Sequence, residues 1–251
     1  VSTNVVWSVS ATYQLPRGLT VEAAASLTAQ PGTSFEIGSA RRVSVLGELS
    51  LVGTDTDRIV LSGMMPGAGA WEGIEFDNTQ ASNALEFVTV RHADAVSLAA
   101  LDSNLRLNDV VVEVGAGTGL YLHDSSIVHA GPVQTTGHTL DLLVSPNVIA
   151  DLTGSLQLGA GLVEVERDTL DASGTWDMDY PLVFRGELEV PAGVTLTLAE
   201  GSTLSFPADE GLHINGGGFA AIGSAASPIL LTGTQAGPGH WRGVYLDDTR
   251  S

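Results

Sequence analysis

The side chains in this chain that could do chemistry are mostly carboxylates. The sequence holds 29 acidic residues and 10 basic ones, all of them arginine, and it has no cysteine. The adjacent carboxylates Asp247 and Asp248 could supply a general acid and a general base to glycoside hydrolysis. A similar segment 170 residues earlier reads Asp77-Asn78, and such residues commonly hydrogen-bond the local backbone in turns. We therefore assign no catalytic residue to this pair.

Carboxylate oxygens are also the ligands that calcium prefers. In a stacked fold, positions one coil apart lie about 4.8 Å from each other, so acidic residues of neighbouring coils could share an ion. The candidate calcium ligands are Glu75, Asp77, Asp247 and Asp248. No other cofactor is indicated, because the histidines lack the spacing of a zinc motif and no phosphate-binding loop is present.

Two tryptophans occupy equivalent places in similar segments. Trp71 and Trp241 each precede a glycine by two residues, at Gly73 and Gly243. An exposed indole could stack on a sugar ring, which makes both tryptophans candidate ligand-binding residues. The alternative is that each indole fills the interior, with the nearby glycine allowing a close approach of the backbone.

Composition excludes several classes of partner. The formal net charge of −19 leaves no basic surface for nucleic acid, and it disfavours an anionic membrane surface. The apolar runs are too short to insert in a membrane. Without cysteine the chain has neither disulfides nor thiolate metal sites.

The elements that must position these side chains are short strands. Apolar residues alternate with polar ones in bursts such as Leu19/Val21, Ile59/Leu61 and Ile74/Phe76, and turn residues separate the bursts. A β-sandwich would show more Asn-Gly and Asp-Gly hairpin turns, whereas this chain has a single Asn-Gly pair. The pattern predicts an all-β fold, a right-handed parallel β-helix in the form of a single-stranded solenoid, with about 11 coils.

A duplication organises the chain. Residues 19–82 return as residues 188–251, at an offset of 169 to 170 positions. A duplicated block of short strands predicts stacked layers, because no layer can bury its apolar face alone. We expect one continuous β-helix over 1–251, with 1–18 as an N-terminal cap and an uncapped C-terminal end through which the chain self-associates.

The repeated strings resemble a known family. PGTSFEIGSARRVSVLGELSLVGTDTDRIVLSG (31–63) and AWEGIEFDNTQAS (70–82) are similar to a bacterial extracellular β-helix repeat of the pectin-lyase-like superfamily. LTLAEGSTLSF (196–206), SPILLTG (227–233) and GPGHWRGVYLDDT (237–249) match the pattern more fully. The resemblance implies a right-handed parallel β-helix in a secreted or cell-surface bacterial protein, a scaffold shared by enzymes, adhesins, surface-layer proteins and phage fibres.

The resemblance also bears on catalysis. Asp247-Asp248 resembles the double aspartate of β-helix polygalacturonases, but the downstream histidine and the Arg-x-Lys step of that family are absent, and the chain has no lysine. We therefore expect a structural or recognition module that binds a glycan or a surface protein, without evident catalytic machinery. The alternative is a polysaccharide-degrading enzyme, a lyase or glycoside hydrolase of the same superfamily.

Overall fold

The computed structural model describes residues 1–7, 11–152 and 156–247. Over these residues the chain forms 28 strands and one short 3₁₀ helix, Pro146–Leu152. The strands of the extended sheets pair in parallel with strands roughly one coil away, as in Ile74 with Leu98 and Leu98 with Leu120. The predicted all-β parallel β-helix is confirmed, with about 10 turns where about 11 were predicted.

The chain divides into two compact units. Unit 1 comprises Val1–Leu142 and Ser155–Ala160, and unit 2 comprises Leu143–Gly154 and Gly161–Ser251. The strand β16 (Leu140–Val144) contains the boundary. The expectation of one continuous β-helix with 1–18 as its cap stays a prediction, as does self-association through the C-terminal end.

Unit 1 consists of two parallel sheets. One sheet follows the order β1-β4-β7-β10-β12-β15-β17 with β2, β5, β8 and β14 attached, and the other includes β13-β11-β9-β6-β3. The strands are β1 (Val5–Trp7), β2 (Thr12–Leu15), β3 (Leu19–Val21), β4 (Ser26–Ala29), β5 (Ser34–Ile37), β6 (Arg42–Val45), β7 (Glu48–Val52), β8 (Ile59–Gly63), β9 (Gly73–Asp77), β10 (Asn83–Arg91), β11 (Val96–Leu101), β12 (Asn104–Glu113), β13 (Thr118–His123), β14 (Ser126–His129), β15 (Val133–Thr136) and β17 (Leu156–Leu158).

Alternation along each strand sorts the side chains of unit 1 into interior and outward rows. In the sheet that contains β6, β9, β11 and β13, Val43, Ile74, Leu98 and Leu120 are in register and at most 1% exposed. Complete burial of such a side chain contributes about 1.5–3 kcal/mol to folding. The neighbouring positions face outward, so the packing of the interior fixes which polar residues share a surface row.

Polar residues inside unit 1 form ladders at one turn. The backbone N–H of Thr79 donates to Ser103 Oγ at 3.1 Å, and the N–H of Ser103 donates to Ser125 Oγ at 3.0 Å. Asn83 joins three coils, because its Oδ1 accepts from the N–H of Leu49 and its Nδ2 donates to Asn104 O. These bonds satisfy buried groups that would otherwise cost about 1–3 kcal/mol each.

Unit 2 has three parallel sheets. Their orders are β27-β24-β21-β18, β19-β22-β25-β28 and β20-β23-β26. The strands are β18 (Val163–Val165), β19 (Asp168–Thr169), β20 (Gly174–Trp176), β21 (Leu182–Phe184), β22 (Leu188–Pro191), β23 (Thr195–Leu198), β24 (Thr203–Phe206), β25 (Gly211–Asn215), β26 (Gly218–Ala221), β27 (Leu230–Gly233) and β28 (Gly243–Asp247).

A column of aromatic rings fills part of the interior of unit 2. The ring centroids of Trp176 and Phe184 lie 6.2 Å apart, those of Phe184 and Phe206 4.5 Å, and those of Phe206 and Trp241 5.7 Å. All three pairs are stacked, a geometry that adds about 0.5–1.5 kcal/mol per pair beyond the area buried.

Candidate functional site

The outward face of β6, β9 and β11 in unit 1 carries a groove of about 380 Å³. The groove is lined by Arg42, Glu72, Ile74, Glu75, Asp94, Ala95, Val96, Ala99, Leu101 and Tyr121. Its volume falls within the range of about 300–1,000 Å³ that is usual for small-molecule sites. We call it the unit 1 groove.

Strand register explains the shape of the unit 1 groove. Glu75, Ala99 and Tyr121 are consecutive members of one outward row. The small side chain of Ala99 leaves a depression between a carboxylate on one coil and a phenol ring on another. A groove between a charged side chain and an aromatic side chain can offer hydrogen bonds and an apolar ring surface to the same ligand.

One arginine orients two of the carboxylates in the unit 1 groove. Arg42 Nε donates to Glu72 Oε2 at 3.0 Å, and its Nη1 donates to Glu75 Oε2 at 2.6 Å. Burial acts to lower the pKa of Arg42, but these bonds and the nearby negative charges outweigh it and raise the pKa above the ordinary value. Because Arg42 is 43% exposed, such ion pairs contribute only about 0–1 kcal/mol to stability. Their main effect is to fix where the carboxylates lie.

Trp71 holds the third carboxylate in place from inside the fold. Its indole is fully buried, with Nε1 donating to Arg91 O at 2.8 Å. The backbone N–H of Asp94 donates to Trp71 O at 2.7 Å, so the tryptophan positions the loop that carries this exposed carboxylate. The buried indole has no face on which a sugar could stack. Trp241 is half-buried against Phe206, and ligand binding by it stays a prediction.

The predicted calcium ligands lie in different settings. Glu75 is in the unit 1 groove, and Asp77 is exposed at the end of β9. Asp247 ends β28 in register with Asn215, whereas Asp248 lies outside the described residues. Within the described part of the chain, no three His, Cys, Asp or Glu side chains are grouped so that they could hold a metal ion. Calcium binding therefore stays a prediction.

Three histidines of unit 1 lie close to a hydroxyl or a carboxylate oxygen. His92 Nδ1 lies 3.0 Å from Ser62 Oγ, and His123 Nε2 lies 3.5 Å from Asp124 Oδ2. His138 Nε2 lies 3.0 Å from the buried Ser97 Oγ. Burial lowers the pKa of His138, and the charge of Asp141 opposes that effect. Ser97 is fully buried, so this serine–histidine pair has no access to a substrate.

Sequence reasoning placed Glu75 among the candidates but missed the partners that make it part of a groove. Arg42 and Tyr121 were not identified, because each lies on a different coil from Glu75. Tyr121 could have been identified by comparing the outward residues that occupy the same strand position in successive coils. Using that signal requires the register between coils, which local alternation does not give.

No family model, curated protein or solved structure matches the chain. The parallel solenoid is consistent with a β-helix repeat protein, and this is the class that the fold defines. No helix among the described residues is long and apolar enough to cross a membrane.

Proposed function

We propose that the protein is a secreted or cell-surface recognition module that binds a glycan in the unit 1 groove. The observation that carries the proposal is the row Glu75, Ala99 and Tyr121, flanked by the Arg42 ion pairs. Sugars present hydroxyl donors and acceptors together with apolar ring faces, and this groove offers partners for both. A rigid parallel ladder fixes those partners before the ligand arrives, which lowers the cost of binding.

The charge of the groove selects the kind of glycan. Three carboxylates, those of Glu72, Glu75 and Asp94, face one guanidinium, that of Arg42. Arg42 Nε and Nη1 are already bonded to Glu72 and Glu75, so the carboxylate of a uronic acid would meet net negative charge in the groove. A neutral or amino-sugar glycan is therefore the favoured ligand, and a polyuronide is disfavoured.

The proposal of a bacterial, extracellular protein is supported by the repeat strings. Residues 31–82 and 196–249 carry the pattern that resembles bacterial extracellular β-helix repeats of the pectin-lyase-like superfamily. The absence of cysteine and lysine is compatible with that origin.

A glycan array tests the proposal directly. Neutral, amino-sugar and uronic oligosaccharides are displayed, and binding of the wild type is compared with that of the Tyr121→Ala and Glu75→Gln variants. We expect retention on neutral or amino-sugar spots and a loss of at least about tenfold in both variants, as for truncated interface anchors. Glu36→Gln is the matched control, because Glu36 is an outward carboxylate of unit 1, bonded to Gln14, outside the groove. Failure of the array to retain the wild type would overturn the proposal.

The enzyme alternative has one observation in its favour. Carboxylates are the catalytic groups of most glycoside hydrolases, and three of them line the unit 1 groove. However, Arg42 forms ion pairs with Glu72 and Glu75, and a carboxylate held in this way is better suited to positioning a ligand than to transferring a proton. Release of reducing ends from the bound glycan, or of unsaturated products from a polyuronide, would replace the recognition module with this alternative.

A further inference from the structure

The unit 1 groove has more negative charge than its own cation balances. Its lining contains the carboxylates of Glu72, Glu75 and Asp94 and a single guanidinium, that of Arg42. Arg42 pairs with both glutamates, at 3.0 Å to Glu72 and 2.6 Å to Glu75. One positive charge against three negative ones leaves two negative charges in the groove. The chain as a whole has a net charge of −19, so the local field and the long-range field both attract cations.

Asp94 is the carboxylate of the groove that no protein cation neutralises. The residue is exposed, and within the described part of the chain its side chain forms no hydrogen bond or ion pair. Glu72 and Glu75, in contrast, are each held through Oε2 by Arg42. Asp94 is therefore the lining carboxylate whose two oxygens are both open to a ligand.

The backbone of Asp94 is fixed on both sides. Its N–H donates to Trp71 O at 2.7 Å, and its C=O accepts from the N–H of Gly117 at 2.9 Å. The Trp71 indole is itself fully buried and donates to Arg91 O. These bonds place the carboxylate at the groove before a ligand arrives, so less entropy is lost on binding.

The rest of the lining adds an apolar surface beside this charge. Ala95 and Val96 follow Asp94 in the chain, and Ala99 and Leu101 lie further along β11. A ligand that covers these residues excludes water, and opposite charges attract more strongly in a partly dehydrated groove than in bulk water. A simple metal ion would leave the apolar surface uncovered. A sugar ring that carries an ammonium group uses both the charge and the apolar surface.

We propose that the unit 1 groove is specific for a glycan with protonated amines, and that Asp94 is the residue that selects an ammonium group over an acetamido group. The inference rests on the proposed function and narrows its ligand class to the cationic amino-sugar glycans. An ammonium group donates a charge-assisted hydrogen bond to Asp94. A neutral acetamido group at the same place would cover the carboxylate without supplying a counter-charge, which is unfavourable.

Isothermal titration calorimetry of the full chain compares two probes that differ only in acetylation, chitohexaose and its fully deacetylated glucosamine hexamer. At about pH 6 the sugar amines are protonated, since the α-amino group, their nearest analogue in proteins, has a pKa of about 7.7–8.0. We expect the glucosamine hexamer to bind at least about tenfold more tightly than chitohexaose. This preference should shrink when NaCl is raised from about 0.01 M to about 0.2 M, because salt screens the attraction.

Two substitutions with the same change of charge locate the effect. Asp94→Asn should abolish the preference, with a loss of at least about tenfold in the affinity for the glucosamine hexamer. Asp77→Asn is the matched control and should retain the preference, because Asp77 is exposed at the end of β9 and does not line the groove. The two backbone hydrogen bonds of Asp94 do not involve its side chain, so Asp94→Asn is expected to fold, and circular dichroism checks both variants.

The outcomes separate this inference from the proposed function. Binding of chitohexaose as tight as that of the glucosamine hexamer would overturn the inference and leave the proposed function standing. A preference that survives Asp94→Asn, or that Asp77→Asn removes equally, would also overturn it, because the overall negative field would then account for the selectivity. Absence of binding by either probe would contradict the proposed function itself.

Discussion

At the scale of single residues, Arg58 connects three coils of unit 1. Its Nη1 donates to Asp109 Oδ1 at 2.6 Å, and its Nη2 donates to the backbone oxygens of Asp109 and Val88. Its Nε donates to Thr89 Oγ1 at 3.2 Å. The corresponding residue of the second copy is Pro228, so the sequence marked this position as different without showing what the arginine does.

Replacing Arg58 should destabilise unit 1 measurably. Arg58→Ala leaves Asp109 and two backbone oxygens without their partner, and we expect a loss of about 1–3 kcal/mol in the free energy of unfolding. Arg106→Ala is the matched control, because Arg106 forms an exposed pair with Glu86, of a kind that contributes about 0–1 kcal/mol. Denaturant unfolding measures both, and equal losses would contradict the role assigned to Arg58.

His138 makes stability depend on pH in a defined direction. Burial lowers its pKa in the folded state, against an opposing contribution from Asp141. Below the ordinary histidine pKa of about 6.5, the unfolded chain therefore takes up a proton that the folded chain does not. The neutral, buried His138 therefore contributes its full stability above about pH 6.5, and this contribution is lost as the pH falls below that value.

Thermal unfolding at about pH 7.5 and about pH 5 tests this direction. His138→Gln should show a smaller loss of unfolding temperature on acidification than the wild type. The loss should not vanish, because burial also lowers the pKa of His92 and His129. An unchanged slope in His138→Gln would contradict the account.

At the scale of elements, alternation in the sequence predicted individual strands well. Ile59/Leu61 lies in β8 and Ile74/Phe76 in β9, with interior faces at most 1% exposed. The 3₁₀ helix Pro146–Leu152 was not predicted, because seven residues are too few to establish a helical period. The unit 1 groove was not predicted either, since the loops between strands vary in length and set which outward residues meet.

The duplication supplies an internal control for one turn. Gly73 and Gly243 both have φ of +93°, a region that side-chain-bearing residues rarely adopt. A Cβ at Gly73 would lie 2.0 Å from Val96 O of the next coil, whereas a Cβ at Gly243 would have no described atom within 4 Å. Among the described residues, the same positive φ is thus combined with a clash at Gly73 and not at Gly243.

Alanine at these two glycines should have unequal effects. Gly243→Ala should cost about 1–2 kcal/mol of backbone strain. Gly73→Ala should cost at least about 2 kcal/mol more, because β9 and β11 must separate to admit the methyl group. Denaturant unfolding of the two variants compares them directly. Equal destabilisation would show that the next coil does not pack against Gly73 as described.

At the scale of the whole molecule, charge is the dominant property. With a net charge of −19, the acidic side chains repel one another more strongly in the compact folded state than in the expanded unfolded state. Raising NaCl from about 0.01 M to about 0.2 M shortens the screening length from about 30 Å to less than about 10 Å. We expect the unfolding temperature to rise over this range. A fall would show that surface ion pairs outweigh the net repulsion.

The central claim is that the unit 1 groove recognises a neutral or amino-sugar glycan. The measurement that tests it most directly is the mapping of backbone-amide NMR shifts during titration with chitohexaose and with the glucosamine hexamer. We predict saturable shifts that are largest at Asp94, Val96, Ala99 and Tyr121, with Asp77 at the nearby end of β9 affected less. Absence of shifts in the groove, with either probe bound elsewhere or not at all, would contradict the claim.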